Sequence, residues 1–445
     1  MNRRIFFRTA GAACFVSSTR RVAKAATAVP EGPGVRLEAV RVGRPTRIPG
    51  TEGDTWVLAW ADDDNLYSPV NDGLGFTDLS DVLSIFDTEQ QRLMENDPDA
   101  TEKIWTKGRK AEAIKVFSMT RDQLEKLARL EKQEEGEAVT VGFNRITGSD
   151  PLKLAGTNLN ASLREFKMQD RGKQLPSSPE PSEVGPDGRT WKSSGCSFID
   201  GALYLAISRH DYGDPFGKRL RQDAINSSFI RSTDYGKTWA RSAKENFQSP
   251  MFPGAHFATP YFIEYGRTQA TVDGADRYVY AISNNGFWDN GDTLILGRVL
   301  RSRLSQLNGS DWEFFTGGEG SNSTNWTRDA ERAKPILEDP RKLGETGAVY
   351  LPARRRYMMI TWYYPDGTGH AVGAGHKTVW KFLESPHPWG PWTQIGSHTW
   401  FPQGYYCPGI CPKFQSANRV YVMTTGDFTN SLPYYHLTVV PIELI

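Results

Sequence analysis

Short apolar stretches, each running into a cluster of Gly, Asn, Asp or Ser, recur along the chain from residue 36. The first holds Thr55-Trp-Val-Leu-Ala-Trp60-Ala61, then Asp62-Asp63-Asp64-Asn65 and Leu66-Tyr67. The second runs from Val139 through Phe198-Ile199-Asp200-Gly201-Ala202-Leu203-Tyr204 to Trp239. The third spans Phe257, the run Tyr278-Val-Tyr-Ala-Ile282 and Trp312-Glu-Phe-Phe315. The fourth contains Val349-Tyr350, Arg356-Tyr-Met-Met-Ile-Thr-Trp362 and Trp389-Gly-Pro-Trp392. The fifth contains Pro412-Lys-Phe414, Val420-Tyr-Val-Met423 and Gly426-Asp-Phe428. Short β-branched and aromatic runs between turn residues predict strands, and such a chain is all-β. Residues 78–136 break the rhythm. They are charged, and Thr120-Arg-Asp-Gln123 is a capping-box pattern opening onto Leu124, Leu127 and Ala128, which predicts a helical insertion in the first or second unit. Residues 173–190, rich in Pro, Ser and Gly, predict a long loop.

Ser232-Thr-Asp234-Tyr-Gly236-Lys-Thr238-Trp239 reads Ser-x-Asp-x-Gly-x-Thr-Trp. A tight turn explains these residues: Asp234 caps backbone N–H groups, Gly236 supplies positive φ, and Trp239 anchors the next strand. The pattern resembles the Asp box of sialidase-type β-propellers, a structural turn. A turn that delivers Trp into a strand recurs as Gly-Ser-Asp-Trp312 and Gly-Pro-Trp392. One supersecondary unit repeated at this spacing predicts a five-bladed β-propeller over residues 36–445. The strand-like Leu437–Leu444 is placed to complete the ring with the N-terminal segment.

The chain has 445 residues, with 13 Trp, 17 Tyr, 42 Gly and 27 Pro. Such aromatic richness suits packing between blades, and it also suits stacking on sugar rings. The 53 basic and 52 acidic residues leave a net charge of +1, which argues against nucleic acid and anionic membrane as partners. No apolar run is long enough to span a membrane. A monomer with a glycan partner is expected.

Arg3-Arg4-Ile5-Phe6-Phe7 follows the twin-arginine export pattern, with a mildly apolar stretch from Thr9 to Ser18 and a small-x-small site at Ala26-Thr-Ala28. Residues 1–28 are therefore expected to be removed, placing the protein in the periplasm or outside the cell. Cys196, Cys407 and Cys411 then remain. Their odd number precludes a complete disulfide framework, and Cys407-Pro-Gly-Ile-Cys411 lacks the second ligand pair of a zinc site. A local disulfide and free buried thiols are both open.

Propeller chemistry sits at an axial end, where carboxylates converge. Asp62, Asp63 and Asp64 follow an inner-strand candidate; Arg209-His210-Asp211 follows another; Trp288-Asp289-Asn-Gly-Asp292 follows the Tyr278 strand; and Glu345 precedes the Val349 strand. Glycoside hydrolysis needs two carboxyl groups, one protonated and one ionised. Asp62, Asp63, Asp64, Asp211, Asp289 and Asp292 are the catalytic candidates, Asp63 foremost as base and Asp211 in an acid or supporting role. Trp60, Arg209, His210, His256, Trp288 and Glu345 are candidates for substrate contact. His370 and His376 flank a Gly-rich rim. No cofactor is required; a structural Ca2+ is one neutraliser of the three consecutive aspartates. No nucleophile elbow, phosphate loop or dinucleotide fingerprint is present.

Trp60-Ala-Asp-Asp-Asp-Asn65-Leu-Tyr67, Gly142-Phe-Asn-Arg145-Ile, Asp289-Asn-Gly-Asp292 and Pro388-Trp-Gly-Pro-Trp392-Thr together resemble a bacterial group long filed as a domain of unknown function. The resemblance spans about residues 40–445 without the insertion. It implies a five-bladed, glycosidase-type propeller; some relatives are endo-D-arabinanases acting on mycobacterial arabinan. The leading expectation is an exported glycoside hydrolase acting on a polysaccharide or glycan. A sialidase, with Arg145, Arg209 and Arg328 as its arginine triad, is one rival. A polysaccharide lyase using His210, His256 and Tyr212 is another. A non-catalytic glycan- or protein-binding propeller would lack converging carboxylates.

Overall fold

A computed structural model describes residues 34–76, 87, 89–90, 118–126, 139–160, 163, 189–210, 223–241, 250–270, 277–365, 376–401, 403–426 and 436–445. The strands form five antiparallel blades arranged as a propeller. Blade 1 begins with Thr51–Asp54 and Ala59–Trp60, which both pair with Leu66–Phe76, followed by Val139–Thr147 and Ala155–Asn158. Blade 2 is Thr190–Ile199, Ala202–His210 and Ala224–Ser232, with a bridge from Arg231 to Ala240 as its outer edge. Blade 3 is Tyr261–Glu264, Tyr278–Asn284, Gly291–Leu300, Trp312–Phe315 and Trp326–Thr327. Blade 4 is Ala348–Leu351, Arg356–Tyr363, Thr378–Ser385 and Thr393–Trp400. Blade 5 is Gly409–Ile410, Arg419–Thr425 and Leu437–Leu444, completed by the N-terminal strand Val40–Val42. That last pairing, Val40 opposite Leu444, ties the two ends of the domain together.

Five apolar clusters fill the five interfaces between blades. Phe143 and Trp239 lie between blades 1 and 2, Phe229 and Trp312 between 2 and 3, and Tyr280 and Met359 between 3 and 4. Trp380 and Val440 lie between 4 and 5, and Trp56 and Val439 between 5 and 1. The recurring turn-Trp places its ring in these seams. Trp239 meets Phe143 edge-on at 4.9 Å, and Trp312 stacks on Phe229 at 5.3 Å; Trp392 packs on the blade 3–4 cluster. Large aromatics suit this task because each bridges two sheets with one rigid side chain.

The Ser232–Trp239 turn is held as its residues dictate. Thr238 donates through N–H and Oγ1 to the two Asp234 oxygens at 2.9 and 2.7 Å, and Gly236 sits at φ 85°. Burial raises the Asp234 carboxyl, but the bonds from Thr238 and Ser232 outweigh it and hold the group below its ordinary value. Between the second and third strands of blade 1 the described residues 121–126 form a helix. Its capping box is formed: Thr120 N–H donates to Gln123 Oε1 at 2.9 Å, and Gln123 N–H to Thr120 Oγ1 at 3.2 Å. Most of residues 78–136, the loop at 173–190 and the export segment 1–28 lie outside the described residues.

Two expectations need correction. The strand from Val139 belongs to blade 1, pairing with Leu66–Phe76, and does not open the second unit. The runs at Leu203–Ile207 and Tyr278–Ile282 are second strands; the innermost ones are Thr190–Ile199 and Tyr261–Glu264. As for the cysteines, Cys196, Cys407 and Cys411 are all buried free thiols. Cys407 joins the blade 4–5 cluster and Cys411 the blade 5–1 cluster, so the pair straddles one strand instead of bridging.

Candidate active site

In an antiparallel blade, the start of the first strand and the turn between strands two and three fall at the same end. At that end the blades converge on a group of buried polar side chains. Blade 1 supplies Asp54, blade 2 Lys192, blade 3 Tyr261 and Asp289, blade 4 Glu345, and blade 5 Tyr406 and Cys407. Asp289 comes from the turn between Tyr278–Asn284 and Gly291–Leu300.

A backbone frame brings Asp289 and Glu345 together. Glu345 N–H donates to the Trp288 carbonyl at 2.9 Å, and Trp362 Nε1 donates to the Glu345 carbonyl at 2.8 Å. Asn290 bonds both ways with the Tyr364 backbone, at 2.9 and 2.8 Å. The approach is close enough to demand glycine: a Cβ on Gly344 would lie 2.5 Å from the Trp362 ring, and one on Gly291 2.5 Å from the Leu343 carbonyl oxygen. The Trp288 ring meets Trp362 and Tyr406 edge-on at 5.1 and 4.9 Å. Thr55, Asn290, Tyr405 and Cys407 all have positive φ, between 45° and 60°. Left-handed backbone at non-glycine residues, above all at β-branched Thr55, costs energy, and its clustering here marks a constrained site.

The carboxyl groups stand in different surroundings. Asp54 accepts from Thr55 Oγ1 on Oδ1 at 3.0 Å and from the Tyr406 hydroxyl on Oδ2 at 2.5 Å. Glu345 accepts from the Tyr261 hydroxyl on Oε2 at 2.8 Å. Burial foremost, with the charges of Asp54 and Asp289 adding to it, pushes its ionisation up to about 8 against the pull of Tyr261 and Lys192. The Cys407 thiol is driven well above its ordinary value by burial and then by the charges of Glu345, Asp54 and Asp289. Burial therefore favours the protonated form of Glu345, while Asp54 accepts a hydrogen bond on each oxygen.

At the far end of the same blade 3 strand stands another buried carboxyl, Glu264. Gln269 Nε2 donates to its Oε1 at 3.0 Å and to Ser197 Oγ at 2.6 Å. Burial raises Glu264 to about 8.

Of the residues expected from the sequence, Asp289, Glu345 and Trp288 meet in this site. Asp62, Asp63 and Asp64 lie in the exposed turn at the other end of the blade 1 inner strand. There Asp62 accepts from the Tyr235 hydroxyl, Asp63 from Asn65 and Tyr67, and Asp64 from Trp60 Nε1 and Lys413. These bonds shape the turn and pull Trp60 to it. Asp292 accepts from Asn285 and the Arg341 N–H. Arg209 and His210 end the second strand of blade 2 and are buried, Arg209 donating to the Arg189 carbonyl. His256 pairs with Glu331 at 2.7 Å on the surface. Asp211, Tyr212 and His370 lie outside the described residues. Arg145 and Arg328 are exposed on blades 1 and 3, and Arg209 is buried on blade 2. Among the described residues no three His, Cys, Asp or Glu side chains are grouped to hold a metal ion, and no helix is long and apolar enough to cross a membrane. The sequence reading missed Asp54, Tyr261, Lys192 and Tyr406.

The model of a family described as a domain of unknown function (DUF4185) matches residues 180–436, more than half the chain, and the chain belongs to that family. No curated protein matches. Solved structures with similar architecture include a Bacteroides ovatus protein whose assignment as a hydrolase is itself provisional. It shows 12% identity over 90% of this chain and 87% of that one, with a TM-score of 0.47. A GH43_1 enzyme from Xanthomonas citri, complexed with xylotriose, shows 11% identity over 90% of each chain and a TM-score of 0.41. A xylan β-1,4-xylosidase from Bacillus halodurans shows 10% identity over 90% of this chain, with a TM-score of 0.41; this chain spans 54% of its length.

Proposed function

We propose that this DUF4185 member is a glycoside hydrolase in which Glu345 is the general acid and Asp54 the general base or nucleophile. The observation that carries the reading is the contrast between the two groups. Glu345 is buried and held protonated to about pH 8, while Asp54 accepts a hydrogen bond on each oxygen. Glycosidic cleavage needs that division: one proton for the leaving oxygen and one negative charge for the opposite face of the sugar. Asp289 supports the acid by adding negative charge that opposes ionisation of Glu345. Trp288, half-buried against Trp362 and Tyr406, offers an aromatic edge beside the carboxyls. Converging carboxylates disfavour a purely binding propeller, and the exposed placing of Arg145 on an outer strand and of Arg328 just past one, away from the inner strands beside which the carboxyls stand, disfavours a sialidase.

The test is a panel of polysaccharides, arabinan and xylan among them, read by reducing-sugar release and by ultraviolet absorbance. Wild type should release reducing ends without an absorbance rise, and Asp54→Asn and Glu345→Gln should each abolish release. A rise in absorbance would mean a lyase. The substrate is expected outside the cytoplasm, on the strength of Arg3-Arg4 and Ala26-Thr-Ala28. Replacing both arginines by Lys should block export, and unimpaired export would remove that part of the proposal.

A further inference from the structure

We propose that Tyr261 is the positioning residue that fixes which oxygen of Glu345 delivers the catalytic proton; this rests on the reading of Glu345 as the acid. Tyr261 begins the innermost strand of blade 3, paired with Ile282, and is buried. Its hydroxyl donates to Glu345 Oε2 at 2.8 Å. The Glu345 backbone is already held at both ends, by the Trp288 carbonyl and by Trp362 Nε1. The side chain is thereby fixed along its whole length. A neutral carboxyl carries one proton, and the oxygen that accepts from Tyr261 is engaged, so the proton resides on Oε1. Tyr406 performs a different task, donating to Asp54.

In the transfer step the Oε1–H bond breaks and the proton joins the glycosidic oxygen. The bond from that oxygen to the anomeric carbon breaks, its electron pair staying with the oxygen, as either the Asp54 carboxylate or a water that gives its proton to Asp54 bonds to the anomeric carbon. Glu345 is left ionised, and the Tyr261 bond becomes charge-assisted, about twice as strong as between neutral groups. The interaction therefore strengthens as charge develops, which is the condition for lowering a barrier. Burial, and then the negative charge of Glu345, push the ionisation of Tyr261 well above its usual value, so the phenol stays a donor throughout.

Tyr261→Phe removes one oxygen and keeps the ring. For an alkyl glycoside of the sugar released in the panel, kcat should fall about tenfold to a hundredfold with KM nearly unchanged. For the 4-nitrophenyl glycoside of that sugar, whose leaving group needs little protonation, the loss should shrink to a few-fold. The high-pH limb of the rate profile should move upward. A loss equal for both leaving groups, or an unmoved limb, would overturn the proposal. Infrared titration of the protonated Glu345 carbonyl band, assigned by its absence in Glu345→Gln, gives a readout without substrate. Its midpoint should be higher in Tyr261→Phe than in wild type. Should Tyr261→Phe not fold, the wild-type band decides: a position typical of a carboxyl with no donor on its carbonyl oxygen would refute the contact. Glu345→Gln run in parallel separates the two failures. If it still cleaves the alkyl glycoside, the acid assignment itself is wrong. If it does not and Tyr261→Phe behaves as wild type, only the role of Tyr261 falls.

Discussion

Glu264→Gln should flatten the pH dependence of stability while leaving catalysis intact. Glu264 stands in the interior at the end of the blade 3 strand opposite Tyr261, so its substitution leaves the proposed machinery untouched. Burial raises it from 4.5 to about 8. In the folded state it therefore keeps its proton between those values, while in the unfolded chain it loses it. The unfolded state binds fewer protons over that window, so stability falls as pH rises, and the loss is complete once pH passes the folded value. At about 1.4 kcal/mol per unit, the ceiling is on the order of 5 kcal/mol. Glutamine has the same shape, stays neutral, and can still accept from Gln269 Nε2. Urea denaturation at intervals from pH 5 to 8.5 gives the comparison. Wild type should lose several kcal/mol more than the variant across the range, with the two converging at pH 5. Parallel curves would show that Glu264 is ionised in the fold and that its burial is relieved by something other than a proton.

Two further substitutions probe the frame. Asp234→Ala removes the acceptor of both Thr238 bonds and should lower stability by about 1–2 kcal/mol in thermal unfolding, with turnover per folded molecule unchanged. Gly344→Ala sets a methyl 2.5 Å from the Trp362 ring and should displace Glu345. A fall in kcat of about a hundredfold is expected in a folded protein by steady-state assay, since about 1 Å of misplacement costs that much; wild-type kcat would mean that Trp362 gives way without moving the acid.

The blades were legible because their second and third strands are apolar runs: Ala202–His210 is buried along its whole length, and Tyr278–Asn284 nearly so. The turn-Trp repeats marked the passage to the outer strands, and Leu437–Leu444 closes the ring with Val40–Val42 as its pattern suggests. The innermost strands were not legible. Thr190–Ile199 is fully buried, yet it reads Thr-Trp-Lys-Ser-Ser-Gly-Cys-Ser, its Ser193, Ser194 and Ser197 hydroxyls bonding to residues of the neighbouring blades. Asn71 Oδ1, for instance, accepts from Ser193 N–H and Oγ at 3.0 and 2.9 Å. Hydropathy scores such a strand as loop. A second strand therefore reads as the inner one, and the carboxylates that stand out are those after strands, such as Asp62–Asp64. Asp54 sits in Gly53-Asp-Thr55, which looks like any turn; only the fold sets it beside Tyr406, a partner 352 residues away along the chain. Asp289 and Glu345 were visible as acids near strands, but nothing local shows that Trp288 and Glu345 share a backbone bond.

The most direct test is the pH dependence of kcat/KM for glycan cleavage in wild type and Glu345→Gln. With Glu345 protonated up to about 8, wild type should give a bell whose high-pH limb falls near that value. Glu345→Gln should lose that limb and about 10²–10⁴ of the rate. A variant that keeps both the limb and the rate would contradict the assignment of the acid, and with it the account of this site as a glycosidase centre.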